Sequence, residues 1–133
     1  MHERFITRFD REYHALFGLT TAACCEPVCR KIHLYRTLPN LRRLSICIWN
    51  DIAMAAEAIG TDYVFSFKPS AIPLSRPGWE VKQDEQLLRH VMEESKGCHV
   101  EIINHETTTV LGHAERLAEW SKMAKRVAVE YSG

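Results

Sequence analysis

Leu41-Arg42-Arg43-Leu44-Ser45-Ile46-Cys47-Ile48-Trp49, running straight into Asn50-Asp51 and then Ile52-Ala53-Met54-Ala55-Ala56-Glu57-Ala58-Ile59-Gly60, is the stretch that decides the fold. Its first part is a short, mainly apolar run with branched and aromatic members, the pattern of a buried strand. Asn50 or Asp51 then supplies a side-chain acceptor for the unpaired amides of a helix's first turn. Ile52, Ala55, Ala56 and Ile59 share one face of that helix, and Gly60 stands where a left-handed residue ends it. The result is one strand-helix unit.

The unit recurs on both sides. Upstream, Phe5, Phe9, Tyr13 and Leu16 are spaced for a helix over Glu3 to Leu16 that Gly18 ends. Residues 19 to 25 read as a short buried strand, and Pro27 suits the first turn of a helix with Val28, Ile32 and Tyr35 on one face, closed at Pro39-Asn40. Downstream, Tyr63-Val64-Phe65-Ser66-Phe67 is a third strand. A helix from near Gln83 to Lys96 carries Leu87, Leu88, Val91 and Met92, and His99-Val100-Glu101-Ile102-Ile103 is a fourth strand. A last helix, His113 to about Tyr131, offers Leu117, Trp120, Ala124, Val127 and Tyr131 as its packing face. One leading helix and four strand-helix units imply an α/β fold with a parallel sheet and right-handed crossovers.

Composition limits the function classes. At 133 residues, with 46% hydrophobic and 26% charged residues, the chain is expected to form one soluble domain over residues 1–133. Seventeen basic residues balance seventeen acidic ones without a basic stretch, which argues against a nucleic-acid partner. No apolar run approaches a membrane span, and Met1-His2-Glu3-Arg4-Phe5 lacks the apolar core of a signal peptide, so a cytoplasmic location is expected. Five cysteines are an odd number, and Cys24 and Cys25 are adjacent, which suits free thiols in a reducing compartment.

The loops that follow parallel strands gather at one face, where α/β proteins collect their ligand-binding groups. Here that face would hold Cys24 to Pro27, Trp49 to Asp51, Lys68 to Lys82 and Asn104 to Gly112. Cys24, Cys25 and Glu26 are candidate metal ligands, the two thiols sharing a metal only where the strand has already ended, since adjacent strand residues point to opposite faces. His105 and Glu106 are candidate catalytic groups; the competing reading is a polar loop whose asparagine and threonines cap backbone. Lys68 can meet a carboxylate or phosphate, or simply steer the loop before Pro69. Trp49 and Trp79 can line an apolar pocket for a large ring or pack a rim. Cys29 and His33, four apart on a helix, read as core or surface filling; Cys47 reads as core, and Cys98 lies at the opposite end of the sheet.

Phe17-Gly18-Leu19, Cys24-Cys25-Glu26-Pro27, Leu38-Pro39-Asn40-Leu41-Arg42, Ser45 to Asp51, Ile59-Gly60 and Tyr63 to Pro69, taken in order, resemble the C-terminal half of the uroporphyrinogen decarboxylase-like barrels, the superfamily that includes the cobalamin-dependent methyltransferases. The likeness runs from about residue 3 to 131 and is nearest to a branch with a Cys-Cys-Glu-Pro motif. It implies the last four units of a TIM (βα)8 barrel with a substrate site at its C-terminal mouth. It also implies unpaired sheet edges, to be met by a homodimer, by a separately encoded half-barrel, or by the rest of a longer gene product. The related methyltransferases hold zinc through His-x-Cys after one strand and a later cysteine after another. Ala23-Cys24-Cys25 falls where His-x-Cys would, leaving Cys24, Glu26 and His105 or Glu106 as replacement ligands. The resemblance therefore implies part of a corrinoid-dependent methyltransferase, with zinc here and the corrinoid on a partner protein. Decarboxylation is disfavoured, because that activity draws its arginines and aspartate from the other half of the barrel. The alternative is a non-catalytic half-barrel that binds or assembles.

Overall fold

The structure, a computed structural model, describes residues 3–132; Met1, His2 and Gly133, the ends of the expected domain, lie outside the described residues. A π-helical turn Glu3–Thr7 leads into α1 (Arg8–His14), then β1 (Thr20–Ala22). A 3-10 turn Cys29–Lys31 precedes α2 (Ile32–Tyr35), β2 (Leu41–Cys47), α3 (Ile52–Ile59) and β3 (Val64–Lys68). The 3-10 turn Pro73–Ser75, α4 (Val81–Glu94), β4 (His99–Ile102) and α5 (Glu115–Glu130) complete the chain. All strand pairs are parallel and the sheet order is β1-β2-β3-β4. Because that order never reverses, right-handed crossovers stack the helices on one side of the sheet, unlike a doubly wound sheet.

Pairing of Leu44 with Phe65 and Ile46 with Phe67 puts those four on the helix side, where all are fully buried. Val28, Ile32, Ala55, Ile59, Leu88, Val91, Trp120 and Val127 close over them as a single core. Asp51, not Asn50, caps α3, its Oδ1 accepting the Met54 amide at 2.9 Å, and Gly60 ends the helix at φ 54°.

The expected helix after Pro27 shrinks to a 3-10 turn and one α-turn, though Val28, Ile32 and Tyr35 are buried as its spacing required. In α5, Leu117 is 41% exposed, and Met123 joins Trp120, Ala124 and Val127 in the core instead. Phe5, Phe9, Tyr13 and Leu16 do form a helical stripe, but the stripe faces outward. The second face of the sheet is polar. Arg43 Nη1 donates to both carboxylate oxygens of Glu101 at 3.0 and 3.1 Å, and Arg43 Nε donates to Thr21 at 3.0 Å. Ser66 Oγ donates to Glu101 at 2.7 Å.

Candidate functional site at the strand ends

β1 ends at Ala22, and Ala23 takes a left-handed φ of 65° that a residue with a Cβ adopts at a cost of about 1–2 kcal/mol. The turn frees Cys24 and Cys25 from the alternation of a strand, and their sulfurs lie side by side at 3.4 Å. Glu106, after β4, is likewise left-handed at φ 63°. Strained backbone of this kind concentrates at functional sites. Across 81 residues of sequence, the Cys25 thiol donates to Glu106 Oε1 at 3.6 Å, and His105 Nδ1 lies 3.5 Å from the same oxygen.

Cys25, His105 and Glu106 each offer a ligand atom, all within 4.8 Å of one another. Zinc bonds of about 2.0–2.3 Å in tetrahedral array put neighbouring ligand atoms roughly 3.5 Å apart. The two close contacts to Glu106 Oε1 have that spacing, and the sulfur, nitrogen and oxygen donors suit zinc. Three protein ligands also leave a coordination position open. The Cys25 thiol is pushed up to about 11, first by its hydrogen bond with Cys24 and then by its surroundings, including the Glu106 carboxylate. A cation bound beside such a sulfur would favour the thiolate.

Beside the cluster lies a cleft of about 260 Å³ whose lining includes Ile48, Trp49, Lys68 and Ile72. Trp49, 70% exposed, is the wall of this cleft and not a packed rim residue. Thus the structure brings Cys25, His105, Glu106, Trp49 and Lys68 together. Cys24 touches the cluster only through Cys25.

Two expected members are placed elsewhere. Glu26 accepts from Lys31 Nζ at 2.8 Å and from the Tyr35 hydroxyl at 3.2 Å, so the local Cys24-Cys25-Glu26 ligand set is not assembled. Burial first, and then Glu26, push the Tyr35 phenol well above its ordinary value. Trp79 packs against the core, its indole N–H donating to Asp84 at 2.9 Å with Arg116 over its ring, and it does not line the cleft. Cys98 is half-buried at the far end, as expected.

Asn50 is the contributor that sequence reasoning missed. Its Oδ1 accepts the amides of Val28 and Cys29 at 2.6 and 3.0 Å, and its Nδ2 donates to the Glu26 carbonyl at 3.4 Å. The side chain ties the cysteine loop to the end of β2. The doubled acceptor Asn50-Asp51 was the available signal, since one helix start uses only one of them.

No family model, curated protein or solved structure matches this chain. Among the described residues, no helix is long and apolar enough to cross a membrane.

Proposed function

We propose that this chain is the C-terminal half of a (βα)8 barrel of the uroporphyrinogen decarboxylase-like class, and that Cys25, His105 and Glu106 hold zinc at its mouth for methyl transfer to a thiol. The observation that carries the reading is the convergence of those three side chains from the ends of the two outer strands. The motif likeness supplies the class and the expected methyl donor, a corrinoid on a partner protein. Zinc, when bound, would supply Lewis-acid stabilisation of the substrate thiolate.

The chain's own residues have distinct tasks. Cys25 and Glu106 provide negative ligand groups, His105 provides a neutral one, and Asn50 holds the cysteine loop at its distance. Trp49 and Ile72 give the cleft an apolar wall, while Lys68 meets an acidic group of the substrate. In such a transfer the substrate thiol would first give up its proton to solvent, its sulfur would bond the methyl carbon as the donor's bond to that carbon breaks, and the electron pair would stay on the donor. An assembly module is the second reading, favoured by the outward apolar stripe on α1.

Zinc titration followed by elemental analysis tests the site. The expected result is about one zinc per chain, lost in both Cys25→Ala and His105→Ala and kept in Cys29→Ser. Equal zinc in the Cys25→Ala protein would remove the metal site and leave the assembly reading.

A further inference from the structure

Cys25 is one of the three clustered ligand groups and Cys24 is not, although the two sulfurs lie only 3.4 Å apart and both residues are exposed. The Cys25 thiol donates its hydrogen to Glu106 Oε1 at 3.6 Å, so in the contact between the sulfurs Cys24 is the donor. The loop that carries them is held on both sides. Before the pair, Ala23 turns the chain at φ 65°. After it, the Glu26 carbonyl accepts from Asn50 and the Glu26 carboxylate from Lys31 and Tyr35. A fixed backbone thus presents two touching thiols to solvent.

We infer that Cys24 and Cys25 are a dithiol that a low-molecular-weight disulfide oxidises to a reversible internal disulfide, and that closing it takes Cys25 away from the metal site. The first half stands on the sulfur geometry alone; the second rests on the zinc reading given above. In the first step the Cys24 sulfur attacks one sulfur of the small disulfide and releases one small thiol. The Cys25 sulfur then attacks Cys24 and expels the other. Two protein S–H bonds and one small-molecule S–S bond are exchanged for one protein S–S bond and two small-molecule S–H bonds. The protein loses two electrons and the small disulfide gains them.

The adjacency of the pair makes it a switch and not a staple. Cys24 and Cys25 are joined by a trans peptide. That bond holds neighbouring Cα atoms about 3.8 Å apart, below the range of about 4.4–6.8 Å in which disulfides are usually found. A strained, exposed disulfide of this kind is easily reduced, and a loop of two residues adds little to stability. Its consequence is local. A metal is held by thiolate sulfur, so the oxidised Cys25 is no longer a ligand and no longer has a hydrogen for Glu106.

The test treats the reduced, metal-free full chain with excess glutathione disulfide, alkylates the remaining thiols and weighs the intact protein. The wild type should be lighter by two hydrogen atoms before alkylation, with three of its five cysteines still open to the alkylating agent. Cys29→Ser should show the same loss, because Cys29 takes no part. Cys25→Ser should stop at the mixed disulfide, with glutathione on Cys24, and reduced glutathione should reopen the wild-type bond. The oxidised wild type should bind no zinc and recover about one per chain after reduction. Thiols that stay open to alkylation, glutathione carried on both cysteines, a bond absent from Cys29→Ser, or a bond that survives reduced glutathione would each overturn the inference, as would zinc retained by the oxidised chain. A pair that oxidises in a chain that never binds zinc would refute the metal reading and leave the disulfide; a zinc-binding chain whose pair stays reduced would do the reverse.

Discussion

Leu44, Ile46, Phe65 and Phe67 point to one face of the sheet and are fully buried, whereas Arg43, Ser45, Ser66 and Glu101, their neighbours on the same strands or the next, point to the other face and are polar. The first face is held by area removed from water, with no directional bond required. The second is held by a small network in which Arg43 and Glu101 remain partly exposed while Ser66 beneath them is buried. The contrast assigns different jobs. The helix side is the core, and the polar side is a hydrogen-bonded, partly exposed surface.

The largest expected effect tests the core face. Phe67→Ala should lower stability by about 3–5 kcal/mol, the range for a buried aromatic truncated in a packed core. Trp120→Ala, across the helix layer, should fall in the same range. Urea denaturation with an unchanged slope measures both. A loss below about 1 kcal/mol at Phe67 would mean that the helix layer does not close over the sheet as described. On the polar face, Glu101→Leu should cost only about 1–2 kcal/mol. The half-exposed ion pair contributes little, and most of the effect comes from orphaning the Ser66 hydroxyl. A double-mutant cycle with Ser66→Ala should therefore return most of the loss, and a cycle with Arg43→Leu should return less.

The contrast was partly legible in the sequence. Leu44-Ser45-Ile46 and Phe65-Ser66-Phe67 alternate with period two, so the strands and their buried side could be read directly. Helix starts were legible where a cap exists, as at Asp51, and drifted where none does; α4 begins at Val81, without a side-chain cap, against an expected Gln83. Spacing identified α1 but carried no information on what covers it, because periodicity reports a face and not its neighbour. At the site, residue types and loop positions were legible for Cys25, His105, Glu106, Trp49 and Lys68. Which of them meet was not. The turns at Ala23 and Glu106 aim the side chains, and neither residue is a glycine or asparagine whose identity would announce φ above zero. Glu26 went to Lys31 and Tyr35 for the same reason: a loop's partners depend on its path.

Ser45 sharpens the comparison at smaller scale. Its side chain is buried on the polar face, yet among the described residues its Oγ has no hydrogen-bond partner. A desolvated hydroxyl without a partner destabilises, so Ser45→Ala should leave stability unchanged or raise it by up to about 1 kcal/mol. A loss greater than about 1 kcal/mol would show that the hydroxyl has found a partner on that face.

The smallest effect concerns a carboxyl on the helix side. Asp84, buried in the first turn of α4, is raised above its ordinary value by burial, an effect opposed by the hydrogen bond from Trp79. A folded state that holds its proton more tightly than the unfolded chain gains stability when that proton is bound. The wild type should accordingly lose stability, relative to Asp84→Asn, as pH rises from the ordinary aspartate value of 3.8 through the raised one, and the difference should level off above it. Asparagine keeps an acceptor for the indole N–H without a charge, so the comparison isolates the titration from the hydrogen bond. Thermal melts of both proteins between pH 3.5 and 7 measure it as a change in their separation, about pH values that the principle of linkage fixes and not the overall acid sensitivity of the fold. A separation that widens in the opposite sense, with the wild type gaining as pH rises, would mean that the Trp79 hydrogen bond outweighs burial and that Asp84 is solvated more like the polar face than the core.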